Sequence, residues 1–363
     1  MKTLRTLLIS LCVLAAASAR LLAAWSVTYL HPDGYSRSQA FGVSGGWQAG
    51  VVAGHAALWN GSAIGWVDLN PTGYDYSQTW SVSNGRQVGY VGPIWYGHAA
   101  LWSGTSASFV DLHPAGYGFS EARGVCGDEQ VGFATINLED SHAGLWKGTA
   151  ESFVDLHPAE AHSYSGAWAV CDGKQVGWAN VLTQHASLWR GSAESWVDLN
   201  PAGARVSGAR GISEGQQVGY AYFGEDPMIA SLWTGTAESW VNLNPAGAVT
   251  SLAQTASRGF QVGSADFGAG YHAGMWSGTA ESWVDLHGFL SADYGNNSYA
   301  EGIEVTSTDI WIVGSAYNVA AHRSEAVLWH NVIPEPSSLL ALAGGLMGLV
   351  GIALRRRTSN AER

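Results

Sequence analysis

Five histidines and five aspartates recur at matched places along the 363-residue chain: His55, His98, His142, His185 and His272, with Asp68, Asp111, Asp155, Asp198 and Asp285. A His–Asp pair is raw material for general acid–base chemistry, and clusters of the two residue types hold metal ions. Either task needs a singular constellation, whereas these pairs come in series. Ile229 and Glu325 stand at the histidine place in two further copies, and Asn242 replaces one aspartate. No Asp-x-Asp-x-Asp-Gly loop, paired-His spacing, Gly-x-Ser-x-Gly or Cys-His arrangement accompanies them. The series therefore predicts structure, a buried hydrogen-bonded set of His, Asp, strand Ser and Trp in each repeat, with no catalytic residue, metal or cofactor. Cys126 and Cys171 share another repeat position, where most copies carry Ser. A disulfide and two buried thiols are both open for them.

The elements that position these residues are repeats. HAALWNGSAIGWVDLNP at 55–71 returns five times in altered form, for example as HAGLWKGTAESFVDLHP and HASLWRGSAESWVDLNP. Three anchors occur seven times each: a Val-Asp-Leu-like strand end (Leu30 to Leu286), a Gln-Val-Gly-like triplet (Gly50 to Gly314) and a Leu-Trp-like pair (Trp59 to Trp329). Successive tryptophans lie 43 or 44 residues apart until a last interval of 53. That period matches a four-stranded propeller blade of ~40–45 residues. In one copy the predicted strands are 77–83, 87–91, 98–102 and 108–112, with turns at Asn84-Gly85 and Ser103-Gly104-Thr105. The chain opens with a lone Val-Asp-Leu-type strand at 25–30 and closes on a Leu-Trp strand at 325–329 without its partner. Pairing the two completes one more blade and removes exposed edges. The fold expected over 25–330 is an all-β, seven-bladed β-propeller closed by its N-terminal strand, with Trp and Leu packed between blades.

Composition agrees. Charged residues make up 13% of a chain with 18 Trp and 47 Gly, which suits short strands and tight turns and opposes disorder. Between 25 and 333, ten Lys/Arg face twenty-seven Asp/Glu, a net charge of −17 that repels phosphate backbones and excludes nucleic acid as partner.

Both ends carry addresses. Lys2 and Arg5 precede an apolar run, Leu7 to Ala17, and Ala17-Ser18-Ala19 supplies a cleavage site, so 1–19 reads as a signal peptide for the general secretory route. Cys12 follows Leu11, not a small residue, and no lipoprotein box is read there. At the other end Pro334-Glu335-Pro336 precedes an apolar stretch, 339–354, and then Arg355, Arg356 and Arg357. As a transmembrane helix that stretch spans roughly 24 Å, and snorkelling arginines on the cytoplasmic side extend its reach. The tripartite pattern over 332–363 resembles the PEP-CTERM sorting signal of Gram-negative bacteria. The resemblance implies an exosortase-type processing protease, transient anchoring in the inner membrane and delivery to the cell surface or extracellular matrix. A plain tail anchor is the alternative. The blades themselves, with His-Ala-x-Leu-Trp-x-Gly before a strand ending in Asp-Leu, resemble the HAF extracellular repeat of bacteria, although Ala or Ser stands where that family usually has Phe. No activity attaches to that resemblance.

In a meander the tight turns share one face and the longer, variable connections share the other. Variable loops on a rigid scaffold are where binding usually resides. The candidate binding residues on that face are Tyr74, Tyr76, Trp95, Tyr96, Tyr117, Tyr164, Tyr222, Asp226 and Tyr294, flat amphipathic side chains beside carboxylates that suit sugar rings or protein contacts. The expected function is a non-enzymatic propeller scaffold at the cell surface that binds exopolysaccharide or another surface protein. A carbohydrate-active hydrolase or lyase is an alternative, with Glu139, Asp226 and Asp293 as scattered carboxylates. A purely structural biofilm coat component is the other.

Overall fold

The computed structural model describes residues 25–93, 96–137 and 140–333. The expected leader 1–19, the apolar run 339–354, Trp95, Glu139 and the sorting-signal residues Pro334, Glu335, Pro336, Arg355, Arg356 and Arg357 lie outside them.

Alternating small and branched residues build seven four-stranded sheets, each a blade of the propeller. In the second blade the strands are Ser77–Ser83, Arg86–Val91, His98–Trp102 and Val110–Asp111. Asn84 and Gly85 turn the first corner with φ of 48° and 75°, the left-handed pair that matches strand twist in a two-residue hairpin. The outer strand is shorter than expected because a 3-10 turn, Ser106–Ser108, precedes it. There Ser108 Oγ donates to the Thr105 carbonyl (2.6 Å) and accepts the Ser103 N–H (2.8 Å), a local closure that competes with the ladder.

The last blade joins the two ends of the chain. Its strands are Tyr294–Val305, Asp309–Asn318 and Arg323–Val332, and Ser26–Tyr29 from the N-terminus lies beside the third. The Leu30 N–H donates to the Ala326 carbonyl at 2.8 Å, the bond that Leu69 makes to Ala56 and Leu112 to Ala99 within their own blades. The chain divides into a large unit, 27–304 with 311–329, and a small one whose described residues are 25–26, 305–310 and 330–333. In the small unit His330 Nε2 sits 2.7 Å from Asp309 Oδ1.

Packing between blades falls to the repeated apolar residues. Trp59, Trp102, Trp146, Trp189, Trp233, Trp276 and Trp329 are all fully buried. Trp102 of the second blade packs among Leu58 and Leu69 of the first, and Leu30, Val313 and Leu328 of the last blade pack against Val52 and Trp59 of the first. At ~25 cal/mol per Å² and 150–250 Å² per indole, each tryptophan contributes roughly 4–6 kcal/mol of burial.

The glycine of the Gln-Val-Gly triplet is a steric necessity. A Cβ on Gly132 would sit 1.8 Å from the Glu121 carbonyl oxygen across the ladder, and its six equivalents meet the corresponding carbonyl oxygen of their own blades at 1.8–2.0 Å. The preceding glutamine pins the two tight turns of its blade together. Gln87 Oε1 accepts the Gly104 N–H (2.8 Å) while its Nε2 donates to the Gly85 carbonyl (3.0 Å).

Candidate functional site

Five His–Asp pairs form as the spacing suggested: Nδ1 lies 2.7–2.9 Å from Oδ2 in His55–Asp68, His98–Asp111, His142–Asp155, His185–Asp198 and His272–Asp285. Their aspartates are 39–46% exposed, however, so the expected buried set is corrected to a half-exposed pair. The reason is position. The aspartate ends a two-residue outer strand at the blade edge, where its other oxygen accepts a backbone N–H two residues on, as Asp111 does from His113 at 2.8 Å.

The strand serine does a different job, between blades. Ser120 Oγ accepts the Ala99 N–H of the preceding blade at 2.9 Å and lies 2.8 Å from His113 Nδ1. Ser38, Ser77, Ser165, Ser207, Ser251 and Ser298 repeat the contact, and Ser38 takes the N–H of Ala326, tying the last blade to the first. The side chain after each Val-Asp-Leu strand end completes the staple. It is His31, His113, His157 or His287 in four copies and Asn70, Asn200 or Asn244 in three. Histidine and asparagine interchange because both offer an acceptor to the serine hydroxyl and a donor to a backbone carbonyl. His113 Nε2 faces the Tyr117 carbonyl at 3.0 Å, and Asn70 Nδ2 donates to that of Tyr74 at 2.6 Å. A carbonyl only accepts, so Nε2 carries a proton, and with the serine hydroxyl donating to Nδ1 the ring is neutral. Burial, with the neighbouring His98 next, holds His113 below the usual histidine range, and burial does the same to His31, His157 and His287. His113 stacks on His98 at 4.0 Å, and His157 on His142 at 4.0 Å.

The binding candidates stand in three conditions. Tyr96 and Tyr164 are exposed, at 66% and 39%, and Asp226 is exposed as well. Tyr74, Tyr76, Tyr117 and Tyr222 are half-buried. Tyr74 meets Phe109 edge-on at 5.7 Å, and Tyr117 meets Phe153 at 5.1 Å. Tyr294 is buried, stacked 4.7 Å from Tyr29, with its hydroxyl donating to Glu325 Oε2 at 2.6 Å. Other exposed aromatic side chains lie in or beside the long connections, namely Tyr35, Phe267, Phe289 and Tyr317.

Sequence reasoning missed a second constellation. A cavity of about 460 Å³ is lined by inner-strand residues of all seven blades, which puts it on the propeller axis. In six inner strands the ladder slips by one residue, at Phe41, Trp80, Arg123, Trp168, Arg210 and Gln254, and Glu301 holds the place in the seventh. A bulge of this kind re-aims a side chain out of the sheet. The small residue after it lets the blades close up; a Cβ on Gly124 would stand 2.9 Å from Ala169 Cα. The re-aimed side chains form an ordered arc. Phe41 leans on Trp80 (4.7 Å), and the Arg123 guanidinium lies between Trp80 (4.1 Å) and Trp168 (4.2 Å). Arg210 covers the Trp168 ring as well, at 4.5 Å, and approaches Tyr220 at 5.7 Å. Each desolvated cation–ring contact contributes about 2 kcal/mol. Glu121 faces this arc, its Oε1 at 2.9 Å from Arg123 Nε and accepting the Trp80 indole N–H. Burial raises the Glu121 carboxyl above its ordinary range, against the pull of Arg123. Across the axis Gln254 Nε2 donates to Glu301 Oε2 at 2.5 Å, and burial raises that carboxyl too.

Cys126 and Cys171 are free thiols in contact, and burial followed by the Cys126 neighbour pushes the Cys171 thiol up to about 11. Among the described residues no group of three or more metal-capable side chains gathers, and no helix is long and apolar enough to cross a membrane.

Against known proteins, residues 332–357 match the PEP-CTERM protein-sorting motif. That motif implies export, processing by an exosortase and sorting to the cell surface. No curated protein matches the chain. Among solved structures, a mutant puromycin hydrolase complexed with PGG aligns at 12% identity and TM-score 0.50, over 82% of this chain and 53% of the other. The β-propeller domain of the Trilobed protease from Pyrococcus furiosus, described as having an open velcro topology, aligns at 8% identity and TM-score 0.51, over 83% and 98%. The chain thus spans about half the length of the puromycin hydrolase, and at these identities the likeness is one of fold. It still corrects the expectation of a protein without enzymatic activity. Chains that align with this fold include a hydrolase and the propeller domain of a protease, so a missing catalytic motif is no ground for excluding catalysis. The chain carries a sorting motif that implies export to the cell surface, on a seven-bladed propeller fold.

Proposed function

We propose that this protein displays its propeller outside the cell and holds extracellular polysaccharide against the long-loop face. The leader at 1–19 starts export, the run 339–354 anchors the chain in the inner membrane until the tail is removed, and the blades are HAF-type repeats. One observation carries the binding reading. Exposed aromatic rings lie in or beside the long connections, with Tyr96 at 66% exposure and Tyr35, Tyr164, Phe267, Phe289 and Tyr317 at 36–40% or slightly above, whereas Trp47 is the exposed ring of the opposite turns. Flat rings with a polar tip stack on sugar faces and hydrogen-bond at their edges. The net charge of −17 over 25–333 favours neutral chains over polyanionic ones. The test is retention of the processed protein on exopolysaccharide from its own host, compared with a Tyr96→Ala, Tyr164→Ala double variant. Retention that falls at least tenfold in the variant supports the reading. Equal retention, or binding that survives removal of polysaccharide and is lost on shaving surface protein, replaces it with a protein partner.

A further inference from the structure

We propose that the axial cavity binds a small organic carboxylate, with the Arg210 guanidinium as its anchor. The site lies along the inner strands, away from the long-loop face, and goes beyond the polysaccharide reading.

The two axial arginines are unequal. Arg123 has a carboxylate at hand, Glu121 Oε1 at 2.9 Å from its Nε. Among the described residues no carboxylate ion pair is formed by Arg210, and its Nε, like that of Arg123, makes no hydrogen bond of good geometry. Arg210 is half-buried and lines the cavity, so a ligand carboxylate there meets a guanidinium that no acidic side chain contacts. The plane of Arg210 is already fixed by Trp168 at 4.5 Å, so its face is occupied and its N–H edge is what remains for an acceptor. Planar guanidinium edges match carboxylates with two parallel hydrogen bonds.

The surroundings offset this charge only in part. Glu301 is engaged by Gln254 at 2.5 Å, and burial pushes its carboxyl above the ordinary carboxylate range, although the Gln254 hydrogen bond and the Arg210 charge pull it down. Beyond the bulges Val43, Val82, Val125 and Val170 line the cavity with aliphatic surface. One cationic anchor, a polar pair opposite and an apolar wall describe a pocket for a singly charged, partly apolar molecule. About 460 Å³ is within the range of small-molecule sites and is room for a sugar acid. The acidic exterior, net −17 over 25–333, opposes a polyanion at long range, so a free small acid is favoured over an anionic polymer.

Isothermal titration of the processed protein with D-glucuronate, lactate and acetate, and with D-glucose as the neutral match, tests the proposal. At least one acid is expected to bind while glucose does not, and Arg210→Gln is expected to weaken that acid about 10- to 100-fold, the worth of a charge-assisted hydrogen bond. Arg205→Gln, at an exposed arginine, is expected to leave binding unchanged. Circular dichroism reports whether Arg210→Gln folds. If it does not, Arg210→Lys decides, since it keeps the charge and loses the fork, and at least fivefold weaker binding is then expected. Binding of none of the three acids, equal binding of glucose, or acid affinity unchanged in a folded Arg210 variant overturns the proposal. The polysaccharide reading would survive that result, because its variants lie on the other face.

Discussion

Ser120→Ala removes one hydroxyl and tests how the blades are held together. Ser120 is fully buried, and so is the Ala99 whose N–H it accepts at 2.9 Å. The substitution leaves that N–H with no acceptor in a dry interface, at about 1–3 kcal/mol for a buried unsatisfied group. His113 Nδ1, at 2.8 Å from the same oxygen, loses its donor as well. That ring is only partly buried and recovers some of the loss from water, so about 0.5–1 kcal/mol is added. The methyl left behind fills most of the space, and the cavity contribution is small. The expected destabilisation is roughly 1.5–4 kcal/mol. Equilibrium unfolding in urea, followed by tryptophan fluorescence, measures it as a lowered midpoint at unchanged slope. Ser103→Ala at an exposed turn is the control and is expected within about 0.5 kcal/mol of the parent. If Ser120→Ala and Ser103→Ala unfold together, the inter-blade staple is not a stabilising element and the explanation of the His/Asn alternation falls with it.

Gly132→Ala drives a Cβ to 1.8 Å from the Glu121 carbonyl oxygen; overpacking against backbone is expected to cost at least about 3 kcal/mol, read as loss of soluble protein or a steep fall in the urea midpoint. His31, His113, His157 and His287 all titrate below the usual 6.5 in the folded protein, chiefly through burial. Between the two values the unfolded chain binds more protons than the folded one, so stability is full above pH ~6.5 and falls as pH drops through that window. Urea midpoints at pH 7.5 and 5 check this, and replacing the four histidines by Asn, the residue already used in three blades, is expected to flatten the dependence. A flat profile in the parent would contradict the assignment of neutral rings.

What the sequence made legible is what repeats. Strands 77–83 and 98–102 were predicted to the residue because their alternation and turns recur six times. The closing strand was legible because an orphan at each end has the type the other lacks. The staple was not, because Ser120 and His113 lie seven residues apart across an irregular loop, so no strand alternation links them. The axial column was hidden for the opposite reason. Phe41, Trp80, Arg123, Trp168, Arg210, Gln254 and Glu301 share one repeat position and almost no chemistry, so a search for recurring residues passes over them. The bulge also breaks the period of two just where the side chain changes direction. The signal was present as a variable position held between constant small neighbours, Ala122 and Gly124 around Arg123 or Ala209 and Gly211 around Arg210. Of the loop tyrosines, Tyr294 is buried against Tyr29 and Tyr96 is exposed, a difference set by how each connection folds back and not by residue type.

Hydrogen exchange read by mass spectrometry on the segment 26–30 tests ring closure most directly. With that strand hydrogen-bonded beside Arg323–Val332, its amides are expected to be protected as strongly as those of the outer strands in the other six blades. Exchange within seconds, as in an unpaired terminus, would mean that the ring is not closed in this way.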